Sequence, residues 1–75
     1  MPSPEIIRMR LLEAFPSAHV EVTDLTGTQD HFQALVVTPA FAGKSRVEQH
    51  RLVYSALGEL MNEQIHALSL TTRVT

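Results

Sequence analysis

Residues 39–54, Pro-Ala-Phe-Ala-Gly-Lys-Ser-Arg-Val-Glu-Gln-His-Arg-Leu-Val-Tyr, carry a complete helix-start signal, and this signal decides where the chain changes from extended to helical. Ser45 is an N-cap residue and Glu48 follows at the third position after it. At that spacing the serine hydroxyl accepts from the N–H of Glu48, and the glutamate carboxylate accepts from the N–H of Ser45. Two donors that a helix start leaves orphaned are thereby satisfied. Gly43 supplies the turn ahead of the cap, and Pro39 stops the strand that precedes it. The two sides of this switch build the two halves of the fold.

Upstream, Ser3-Pro4-Glu5 is a second helix start, with a capping hydroxyl, a proline at the first helical position and an acid at the positive end of the helix dipole. Ile7, Leu11 and Phe15, with Leu12 beside them, form one apolar face, while Arg10 and Glu13 fall on the other side. Pro16 ends the helix, giving a span of 4–14. His19 to Thr23 alternates polar and apolar residues, the pattern of a strand with one buried face. Residues 24–30 read as a turn with Gly27 free to adopt a left-handed conformation, and 31–38, rich in Val, Leu and Phe, read as the strongest strand. The two strands form a hairpin.

Downstream, 46–62 reads as one helix. Glu48, Arg51, Ser55, Glu59 and Asn62 make its polar stripe, and Val53, Leu57 and Leu60, flanked by Tyr54 and Met61, its apolar one. Gly58 disfavours the helix interior by about 1 kcal/mol relative to alanine, and a close approach by another element would explain it. Residues 65–72 are a third strand. A strand, a helix and a further strand in one sheet require a parallel, right-handed crossover. The expected fold is therefore α+β, in the order αββαβ: a two-layer domain with a three-stranded mixed sheet and both helices on one face.

At 75 residues the chain makes a single domain, and a domain of this size buries only about 60% of its unfolded surface. A 44% apolar and 19% charged composition is that of a globular chain. The absence of cysteine excludes disulfides, thiolate metal sites and a cysteine nucleophile. A net charge of −2 exerts no general pull toward nucleic acid or anionic membrane. No apolar run approaches the roughly 20 residues of a membrane span, and no basic-then-apolar leader opens the chain, so a soluble cytoplasmic domain is expected.

Catalytic motifs fail on inspection. Gly43-Lys44-Ser45 lacks the earlier glycine of a phosphate loop, whose position holds Thr38. Ser55, His50 and Asp24 make a triad on paper only, without a nucleophile elbow. No enzymatic activity is expected. Of the histidines, His19 reads as a solvent-facing strand residue and His50 as either a structural histidine or a ligand at the edge of the helix stripe. His31 and His66 begin two strands expected to be parallel, so both lie at one end of the sheet. They are either half of a metal site or two unrelated histidines. Two neutral imidazoles leave a zinc, copper or iron site incomplete, so a site here needs ligands from a partner.

Phe41-x-Gly43-Lys44-Ser45-x-Val47-x-x-His50-Arg51-x-Val53-Tyr54-x-x-Leu57, followed by Ile65-His66-Ala67-Leu68 and preceded by Asp30-His31-Phe32, resembles the pattern of the BolA family over residues 5–72. The resemblance implies a class II KH-like αββαβ fold and partnership with monothiol glutaredoxins bearing a Cys-Gly-Phe-Ser active site. It further implies a bridging two-iron, two-sulfur cluster held by the glutaredoxin cysteine, by glutathione and by two residues of this chain. His66 matches the family's histidine ligand, and His31 is the candidate for the second. No cofactor is expected in the isolated chain, which would be a monomer or weak homodimer. The expected docking face is Phe41, Gly43, Lys44, Arg46, His50 and Arg51. The alternative is a DNA-binding transcriptional regulator using Lys44, Arg46 and Arg51, although the Gly-x-x-Gly loop of KH recognition is replaced by Ala42-Gly43-Lys44-Ser45. A third reading is an adaptor that binds glutaredoxin without metal. Relatives commonly carry a short further helix after the third strand, which the stretch ending at Thr75 lacks.

Overall fold

Ser3 opens the first helix, α1 (Pro4–Ala14), with its hydroxyl accepting from the Ile6 N–H at 3.2 Å. The structure is a computed structural model and describes residues 3–25, 27, 31–63 and 67–74. The helix stops as expected before Pro16, and the Phe15 N–H closes back on the Leu11 carbonyl. Ile7 and Leu11 are fully buried and Phe15 nearly so, as their spacing requires.

Strands β1 (His19–Asp24) and β2 (His31–Val37) pair antiparallel, with His19 opposite Val37 and Asp24 opposite Phe32. At the turn, Gly27 has φ +75° and donates its N–H to Asp24 Oδ1 at 3.0 Å, the left-handed conformation anticipated for it. The remainder of that loop lies outside the described residues.

After β2 the chain makes one tight 3-10 turn, Pro39–Phe41, capped by the Thr38 hydroxyl. Helix α2 (Arg46–Leu57) comes next, and both halves of its capping box form. Glu48 N–H donates to Ser45 Oγ at 3.2 Å, and Ser45 N–H donates to Glu48 Oε1 at 3.0 Å.

The expected single helix over 46–62 is broken. Gly58, at φ +54° and ψ −125°, caps α2, and a short helix α3 (Glu59–Glu63) restarts beyond it. The glycine is there for this backbone conformation and not for a close approach, since a Cβ built on it would meet nothing nearer than the Ser55 carbonyl oxygen at 3.8 Å. Strand β3 (Ala67–Arg73) pairs parallel to β2 and runs one residue past the expected end; the expected start at 65 and 66 lies outside the described residues.

The sheet order is β1-β2-β3. Val20, Phe32, Ala34 and Val36 point into one core with Ile7, Leu11, Phe41, Val53 and Leu57, while Leu68 and Leu70 pack against its border. Glu21, Gln33, Ser69 and Thr71 occupy the opposite, open face. Both long helices thus cover one side of a mixed sheet, giving the α+β two-layer arrangement expected from the element order.

Candidate functional site

The histidines separate by register. His31 begins β2 and is paired with Ala67, the sequence neighbour of His66; His66 itself lies outside the described residues. His31 is half-buried. Among the described residues no three His, Asp or Glu side chains converge as a metal site. His19, opposite Val37, sits at the other end of the sheet, where its Nε2 lies 2.7 Å from Glu21 Oε2 in a solvent-exposed pair. Exposed pairs of this kind contribute little to stability, so the solvent-facing reading of His19 holds.

The helix-start face is assembled by the capping box. Gly43 adopts φ +75°, and Lys44, Arg46 and Arg51 are exposed around the first turn of α2. Glu48 sits among them. Its carboxyl is held below the ordinary carboxylate value, first by the Ser45 backbone N–H, next by the Ser45 hydroxyl, with Lys44 and Arg51 adding to the effect.

Phe41 does not belong to this face. It is fully buried, meeting Phe15 edge-on with ring centroids 5.4 Å apart, so its expected docking role is corrected to a core role. A single 3-10 turn swings its ring inward where a longer extended stretch would have left it outside. His50 is half-buried and packs against Tyr54 at 6.3 Å in an edge geometry; Tyr54, expected to flank the apolar stripe, is 39% exposed.

Sequence reasoning missed two residues. Gln49 is buried and ties three segments together. Its Nε2 donates to the Lys44 carbonyl at 2.9 Å and to the Phe41 carbonyl at 3.5 Å, and its Oε1 accepts from Thr72 Oγ1 at 2.6 Å. The signal was its place one and two turns ahead of Val53 and Leu57 on the inward stripe, where a carboxamide must find partners. Arg73 was the second. It joins Arg46, His50, Leu70, Thr71 and Thr72 around an open cleft of about 450 Å³ between the start of α2 and the end of β3. No local pattern announces that meeting.

Comparison with known proteins agrees with this architecture. A family model described as "BolA-like protein" matches residues 11–75. An uncharacterized protein of Rickettsia prowazekii is 39% identical over 70 residues, covering 93% of this chain and 91% of that one. The Escherichia coli protein named "DNA-binding transcriptional regulator BolA" is 33% identical over 75 residues, with 91% and 71% covered. The solved BolA domain of SufE1 from Arabidopsis thaliana is similar with a TM-score of 0.87 at 31% identity, covering 99% of this chain and 94% of that one.

Proposed function

Since this chain belongs to the BolA family, we propose that it works by binding, as a partner of monothiol glutaredoxins to which it lends histidine ligation for a shared two-iron, two-sulfur cluster. The observation that carries the reading is the parallel register setting His31 opposite Ala67, next in sequence to His66. The donor chemistry fits. The chain has no thiol, and imidazole is an accepted iron ligand in two-iron, two-sulfur centres. His31 and His66 would hold the cluster with the glutaredoxin cysteine and glutathione, and histidine ligation would raise its potential relative to all-thiolate ligation, suiting transfer or iron sensing.

The protein's own part is to present those imidazoles and to orient the partner. Gly43, Lys44, Arg46, His50 and Arg51 form the docking face assigned to it, where the cations attract glutathione carboxylates or an acidic glutaredoxin surface. The capping box and Gln49 hold that loop in place before any partner arrives. A cytoplasmic setting accords with this role; no helix among the described residues is long and apolar enough to cross a membrane.

Anaerobic reconstitution of the full chain with a Cys-Gly-Phe-Ser glutaredoxin, iron, sulfide and glutathione should give a visible absorption spectrum that His66→Ala abolishes and His31→Ala alters. An unchanged spectrum in His66→Ala removes that residue from the site. A second reading, DNA binding through Lys44, Arg46 and Arg51, is favoured by the name of the Escherichia coli relative. Phosphate contacts require affinity to fall steeply with salt, so a flat response or no binding dismisses it.

A further inference from the structure

We propose that the free edge of β3 is a docking strand for an extended acidic segment of a partner protein, which adds to the sheet while its carboxylates pair with Arg46 and Arg73. Leu70, Thr71, Thr72 and Arg73 are consecutive on a strand, yet all four line one cleft. Successive strand side chains point to opposite faces, so the one feature shared by four in a row is the backbone edge. The cleft is therefore a groove along the outer edge of β3, walled by the first turns of α2. The Arg73 carbonyl is taken by the Thr38 N–H on the β2 side, so the outward backbone groups are those of the alternate residues Leu70 and Thr72.

The sheet has a second edge, and it is guarded. Along β1, Arg8 Nε donates to the Val20 carbonyl at 3.3 Å, and Glu21 and Asp24 place charge on the strand. Native sheets blunt exposed edges by such devices. β3 carries no proline and a single charge, Arg73, and among the described residues no side chain caps its outer backbone groups. An edge left open beside a groove suits strand addition, in which main-chain hydrogen bonds supply affinity and flanking side chains select the partner.

Charge selects the occupant. The lining holds two arginines and a histidine and no acid, and among the described residues neither Arg46 nor Arg73 is in an ion pair. A second copy of β3 would bring another Arg73 into a groove already cationic. A DNA strand has no backbone donors to match the edge, and the lining offers no aromatic ring beyond the His50 imidazole for bases of any nucleic acid to stack on. An acidic polypeptide satisfies both the edge and the arginines. The groove shares Arg46 and His50 with the proposed docking face but lies at the other end of the sheet from His31, because Arg73 is in register with Val37 and Ala67 with His31.

The test is titration of the isotopically labelled full chain with a capped hexapeptide alternating glutamate and valine, monitored by amide NMR. Binding should shift the amides of residues 70–73 and newly protect those of Leu70 and Thr72, whose N–H groups face away from β2. Arg46→Glu and Arg73→Glu, both at exposed positions, should each weaken it by about fivefold or more. The same peptide N-methylated at alternate residues should not bind. Equal binding by the N-methylated peptide, or shifts confined to other residues, overturns the proposal. So does tighter binding of oligothymidylate through the same amides, or concentration-dependent self-association through β3 without peptide.

Discussion

Ser45 and Glu48 hold each other, and the consequence is a pH dependence. Glu48 titrates below its ordinary value of 4.5 because its ionised form accepts the Ser45 backbone N–H and lies beside Ser45 Oγ, Lys44 and Arg51. The folded carboxyl is the stronger acid, so the stability it contributes is complete above the unfolded value and is lost as pH falls through that value and into the folded range. Urea midpoints measured on the acid side of about pH 5 should therefore drop as pH is lowered. Glu48→Gln, which retains an acceptor without the charge, should flatten that part of the profile; an unchanged profile would remove Glu48 as its source. The capping box was legible because both partners lie within one turn, and local spacing alone brings them together. Gln49 was harder to read, because its partners at Phe41, Lys44 and Thr72 belong to a loop and a strand that meet it only after folding.

Element boundaries were legible wherever a cap or a proline marks them. Helix α1 ends where Pro16 requires, and α2 starts where Ser45 requires. Periodicity failed at Gly58 because Leu60 continues the buried stripe of Val53 and Leu57 across the break. A hydrophobic pattern records which residues face the core, and it does not record a reversal of φ at one residue. The two readings of Gly58 predict opposite signs. In a helix interior Gly58→Ala would stabilise by about 1 kcal/mol. At φ +54° it should instead destabilise, by about 1–3 kcal/mol, since a Cβ is strained there even with open space around it. Thermal melts of the variant decide the matter: a decrease of several degrees is expected, on a scale of about 4–8 °C per kcal/mol for a domain this small.

The whole molecule is a thin two-layer domain whose one core draws on every major element, and Phe41 shows how far stability rests on it. Its ring is completely buried against Phe15 between α1 and the sheet-to-helix turn. Phe41→Ala should cost about 3–5 kcal/mol, a large share of the roughly 5–15 kcal/mol that holds a small domain folded. Circular dichroism should show Phe41→Ala largely unfolded or melting far lower, with Phe41→Leu intermediate. A surface docking residue would leave the melt unchanged. Element order, caps, the one-sided core and the pairing of two strands by a helical crossover were all determined by the sequence, because each results from interactions within a turn or from alternation along one element. The burial of Phe41, the bridging role of Gln49 and the meeting of Arg46 with Arg73 beside the β3 edge were decided only by the tertiary structure. Those depend on how a helix lies across a strand from a distant part of the chain, a geometry set by packing the whole core and written in no local spacing.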